Sequence, residues 1–83
     1  MRTYRKVSKL EEINSLKQLL SYNDLAIDNV QNDIYRTENL YKIDESDKEV
    51  KERLNTLRYI KFSLDYLEKC YKDRLKVLGV RYD

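Results

Sequence analysis

Apolar side chains recur every three or four positions along almost the whole of this 83-residue chain, and the recurrence pauses only once. From Ile13 the series runs Leu16, Leu20, Ile27, Val30, Ile34 and Tyr41, with Asn23 and Thr37 filling two slots of the same stripe. A second series runs Val50, Leu54, Leu57, Ile60, Leu64, Leu67, Tyr71, Leu75 and Leu78. Such spacing returns to one side of an α-helix at every turn and does not match the two-residue period of a strand. Pro is absent and Gly occurs once, so the usual helix breakers are missing. The pattern predicts an all-α chain of two long amphipathic helices.

The ends of the series carry capping signals. Ser8-Lys9-Leu10-Glu11 and Ser46-Asp47-Lys48-Glu49 both match the S-x-x-E capping box, in which Ser and Glu side chains satisfy orphan backbone N–H groups. Gly79 follows Leu78, where a left-handed residue would close a helix, and Val80 suits the apolar contact of a Schellman cap. Arg74 and Lys76 oppose the negative end of that helix dipole. The chain therefore divides into a basic N-terminal arm (1–8), helix one (9–42), a turn (43–46), helix two (47–78) and a C-terminal tail (79–83). A connection of four residues forces the helices antiparallel, as a two-helix, coiled-coil-like hairpin. The competing architecture is a three-helix bundle, with helix one broken at Ser21-Tyr22-Asn23-Asp24, where Ser21 and Asp24 offer a weak cap signal. The hairpin is preferred because neither short piece would cover helix two.

At this length a single core is marginal, so self-association or a partner is expected. Charged residues make up 39% of the chain but nearly cancel, to a net +2, which differs from the uniform basicity of a general nucleic-acid binder. Cys70 is the only cysteine, so no internal disulfide can form, and a reducing compartment fits best. No apolar run follows the first residues and none is long enough to span a bilayer. The expectation is a cytoplasmic protein without membrane contact. Scarce Gly and Ala beside abundant Lys, Asn, Ile and Tyr follow AT-rich codons, which points to a low-GC bacterium, its phage or a mobile element.

The side chains offer little for catalysis. There is no His, hence no Glu-x-x-His metal motif and no Cys–His nucleophile pair, and a single Gly cannot build a phosphate loop. Cys70, deep in helix two beside Tyr71, reads as a buried or half-buried small apolar residue. Asp44, Glu45, Asp47 and Glu49 crowd the turn, but Lys48 and the lack of Gly spoil an EF-hand pattern, leaving a solvated turn at a helix N-terminus. Asp24 and Asp28 lie one turn apart on what reads as an exposed face. The sequence predicts no enzyme, with neither catalytic nor metal residues and no cofactor.

Three features point to binding instead. A polar residue such as Asn23 inside an apolar seam lowers stability but can specify register or oligomer state. Tyr59, Phe62 and Tyr66 form a second stripe on helix two, and Leu19, Tyr22 and Ala26 have similar spacing on helix one. A hairpin buries one face of each helix, so these residues need another surface. Leu19, Tyr22, Tyr59, Phe62 and Tyr66 are therefore the predicted oligomer or partner interface, most simply in a homodimer that forms a four-helix bundle. Finally, the hairpin gathers Arg2, Arg5, Lys6, Lys9, Lys69, Lys72, Arg74, Lys76 and Arg81 at one pole. Residues 10–47 hold three basic residues against nine acids. The first functional expectation is a non-catalytic protein–protein interaction module, an inhibitor or adaptor of the kind phages and mobile elements direct at a host or defence complex. The alternative is a nucleic-acid-binding or transcription accessory protein that uses the basic pole.

Overall fold

The computed structural model describes residues 8–81. Two helices, α1 (Lys9–Ile43) and α2 (Lys48–Val77), pack against each other as a hairpin, and no strand occurs among the described residues. Helix α1 is continuous through Ser21–Asp24, so the three-helix bundle is not formed.

Local chemistry fixes the ends. The Ser8 hydroxyl accepts from the Glu11 amide at 3.1 Å and caps α1. At the start of α2 the cap is Asp47, not the Ser46 expected from the capping box. Asp47 Oδ1 accepts from the amides of Glu49 and Val50 at 3.1 and 3.2 Å. Ser46 is already engaged: its amide and its hydroxyl both donate to Asp44 Oδ1, a side-chain-closed turn that holds the Asp44 carboxyl below the ordinary aspartate range. At the far end, Gly79 (φ 89°) donates to the Lys76 carbonyl and Val80 donates to the Leu75 carbonyl, at 3.0 and 2.9 Å. This pair of bonds is the Schellman arrangement, and Val80 packs against the cluster that contains Leu75.

The α1 stripe is buried as its spacing predicts. Leu16, Leu20, Asn23, Ile34 and Thr37 are buried, while Ile13, Ile27, Val30 and Tyr41 are half-buried. Thr37 satisfies its hydroxyl locally, donating to the Asp33 carbonyl one turn back at 2.7 Å. On α2 the seam differs from expectation. Ile60 and Leu67 remain 39% and 40% exposed, while Lys61 and Glu68 are half-buried in their place. The reason is rotational. Alternating steps of four and three lead from Val50 through Leu54, Leu57, Lys61, Leu64, Glu68, Tyr71 and Leu75 to Leu78. Ile60 and Leu67 each sit one residue early, about 100° round the helix. Lys61 and Glu68 bury their stems and turn their charges outward, to Asp65 at 2.9 Å and Lys72 at 3.1 Å.

Packing is concentrated at the ends of the hairpin. Leu16, Leu20 and Leu75, with Ile13, Tyr71, Leu78 and Val80, form the core of the open end. Ile34, Thr37 and Leu54 are buried nearer the turn. Between Leu54 and Leu75, α2 has no fully buried residue, and Leu57 and Leu64 are only half-buried. The one buried α1 residue between Leu20 and Ile34 is Asn23, whose Nδ2 donates to the Leu64 carbonyl at 2.8 Å. The radius of gyration is 18.1 Å, against about 12 Å for a compact domain of this length.

Candidate interaction surface

The seam positions divide the rest of the surface into two broad sides and an outer edge. A residue just before a seam position lies about 100° to one side of it, and a residue just after lies about 100° to the other. In an antiparallel pair the same rotational sense brings both helices' flanks to one side of the hairpin. Two ion pairs confirm the assignment. Glu12 and Arg74 both precede seam residues and meet at 2.6 Å, and Glu38 and Arg58 both follow seam residues and meet at 3.8 Å.

The two sides differ in chemistry. On the first, the middle of α1 presents Ser15, Leu19, Tyr22, Ala26 and Asn29. Opposite them α2 presents Thr56, Ile60, Ser63, Leu67 and Cys70. None of these is charged, in a chain that is 39% charged. The second side carries Lys17, Asp24, Asp28, Arg58, Asp65, Lys69 and Lys72 over the same stretch. Near the turn it holds a shallow groove of ≈ 150 Å³, lined by Glu38, Tyr41, Lys42, Lys51, Leu54, Asn55 and Arg58. That is smaller than the roughly 300 Å³ at which small-molecule pockets begin.

The five residues expected to form one interface do not share a surface. Leu19 (43% exposed) and Tyr22 (60%) lie on the uncharged side. Tyr59 (72% exposed) and Tyr66 (62%) run along the outer edge of α2, turned away from α1, and Phe62 (70%), just after the seam residue Lys61, lies between that edge and the charged side. The sequence pattern missed Ile60 and Leu67 as surface residues because it assigned them to the seam. Cys70 also departs from expectation. It is exposed, since it directly precedes the seam residue Tyr71 and so faces the uncharged side. Asp24 and Asp28 are exposed as expected.

Of the basic pole, Arg2, Arg5 and Lys6 lie outside the described residues. Lys9, Lys69, Arg74, Lys76 and Arg81 are exposed and Lys72 is half-buried. Lys72 and Arg74 are engaged in ion pairs with Glu68 and Glu12. The Arg74 guanidinium donates to Glu12 and holds the Glu12 carboxyl below the ordinary glutamate range. A lowered folded-state value means that stability is present above the unfolded value of about 4.3 and is lost as pH falls through the folded one. Wild type should therefore lose more stability than Glu12→Gln on acidification below about pH 4.5, as read by urea midpoints across a pH series. An equal loss in both proteins would show that the pair adds nothing to folding. No group of three or more His, Cys, Asp or Glu that could hold a metal ion occurs among the described residues. No described helix is long and apolar enough to cross a membrane.

These features define a helical hairpin with three chemically distinct exposed surfaces. No protein-family model, curated protein or solved structure matches the chain.

Proposed function

We propose that this protein is a cytoplasmic, non-catalytic protein–protein interaction module that self-associates and docks a foreign protein, as an inhibitor or adaptor encoded by a phage or mobile element. The observation that carries the reading is the stripe of Tyr59, Phe62 and Tyr66, 72%, 70% and 62% exposed on an edge that α1 cannot reach. Large aromatic side chains at helical spacing are strong anchors for a partner, because they bring much apolar area at low conformational cost. The AT-rich amino-acid preferences support the proposed origin.

The test is affinity capture from the source organism with nuclease treatment, followed by mass spectrometry. Wild type should retain a protein in stoichiometric amount after nuclease. Tyr59→Ala combined with Tyr66→Ala should lose it, and Lys69→Glu combined with Lys76→Glu should keep it. Loss of the captured material on nuclease treatment, or on the charge reversal alone, would replace this reading with nucleic-acid or charge-led binding at the basic pole.

A further inference from the structure

We infer that the uncharged side of the hairpin is covered by a second copy of this chain, with its turn at the opposite end, in an antiparallel four-helix bundle. The inference rests on the self-association in the proposed function and not on any foreign target. It assigns the face and the orientation, neither of which follows from the aromatic stripe.

Area is the first argument. The chain exposes 7161 Å², whereas a compact monomer of 10.1 kDa exposes about 5,300 Å². The excess, part of which belongs to the nine residues outside the described range, compares with roughly 800 Å² that each partner buries in a standard interface. One hairpin is a single layer of two helices, and the simplest way to cover its flat side is another such layer.

Packing is the second argument, because it says where the copy sits. The middle of α2 has no fully buried residue, and Ile60 (39% exposed) and Leu67 (40%) stand at the edge of the seam on the same side as Leu19 (43%). The unfinished core and the uncharged patch therefore coincide. The patch is centred near Tyr22 and Ser63, which the Asn23–Leu64 hydrogen bond places across from each other. A two-fold axis there sets the patch against itself, as an isologous contact requires.

Charge selects the orientation. The turn carries Asp44, Glu45, Asp47 and Glu49 against Lys48. Two turns side by side would place these like charges together. The antiparallel arrangement sets each turn towards the partner's open end, where Lys9 and Arg81 are exposed.

Sedimentation at about 10 μM and about 100 μM, a range that spans ordinary dimer affinities, should give twice the 10.1 kDa chain mass. Ile60→Lys with Leu67→Lys should return the mass to one chain while the helical signal persists. Gln31→Lys with Asn55→Lys, on the other broad side, should leave it doubled. In a Cys70→Ser background, spin labels at Ser46→Cys should lie about 50–60 Å apart across the dimer. A pair of Ser46 labels within about 20 Å would overturn the orientation, because both turns would then share an end. A doubled mass that ignores Ile60→Lys with Leu67→Lys would overturn the face. A folded monomer at both concentrations would overturn the inference outright. If that monomer still captured a foreign protein through Tyr59 and Tyr66, the docking half of the proposed function would survive.

Discussion

Leu75→Ala is expected to abolish most of the helical signal at 25 °C in dilute solution. Leu75 is fully buried, with 0% of its surface exposed, and it joins Leu16 and Leu20 in the open-end core. Truncating a buried leucine costs about 2–5 kcal/mol, through lost burial and the cavity left behind. A core of this size seldom supplies more than about 3–5 kcal/mol, so one such change removes most of the margin. The position has a second role, because the Leu75 carbonyl accepts from Val80 in the C-terminal cap and Val80 packs on the same cluster. Loosening Leu75 therefore loosens the closure of α2 as well. Leu57→Ala, at a half-buried position, should cost roughly 1 kcal/mol in a single hairpin. Circular dichroism with urea titration at matched concentration reads both variants. A Leu75→Ala midpoint equal to wild type would move the core to another part of the hairpin.

Much of this architecture is legible because the α1 stripe is regular. Ile13, Leu16, Leu20, Asn23, Ile27, Val30, Ile34, Thr37 and Tyr41 alternate steps of three and four without a break. Such a stripe stays on one face of a helix that winds gently round a partner. On α2 the same rule competes with hydrophobicity. Choosing Ile60 over Lys61 and Leu67 over Glu68 keeps every seam residue apolar but breaks the alternation twice. The structure keeps the alternation, since a lysine or glutamate stem can lie in a half-buried groove and still deliver its charge to Asp65 or Lys72. Strict alternation counted back from Leu75 would have recovered the seam. It would also have shown that Cys70 precedes a seam residue and is exposed. The choice of Asp47 over Ser46 as the cap was not legible from the S-x-x-E match, because it depends on Asp44 taking up both Ser46 donors. The side chains could be placed on a face by counting. What covers that face involves a second molecule and leaves only indirect marks in one sequence, here the ten uncharged positions.

Asn23→Leu should stabilise the protein and spoil its uniformity. In the folded chain Asn23 is 6% exposed, and its amide donates to the Leu64 carbonyl. That carbonyl lies inside α2, where the helical ladder already gives it a partner, so removing the amide does not leave an orphan acceptor. Leucine would replace a buried amide with apolar surface. Desolvating the amide costs about 1–3 kcal/mol, and its hydrogen bond returns only about 1 kcal/mol net. Burying the leucine contributes roughly 1.5–3 kcal/mol. The balance favours the variant by about 1.5–5 kcal/mol, less the strain of fitting a bulkier side chain, which would raise the urea midpoint clearly. The four-residue connection already fixes which parts of α1 and α2 lie side by side, so the asparagine is not needed for alignment within one chain. Its specificity falls on the rotation of the helices and on how many pack together, as for a polar residue in a coiled-coil seam. Without it, the α1 side of the seam is apolar from Ile13 to Ile34 and accepts several rotations and larger assemblies. Sedimentation of Asn23→Leu should then show a spread of masses where wild type shows one. A higher midpoint with a single unchanged mass would leave Asn23 without a specifying role. A lower midpoint would mean that the hydrogen bond to Leu64 contributes more than the apolar burial that replaces it.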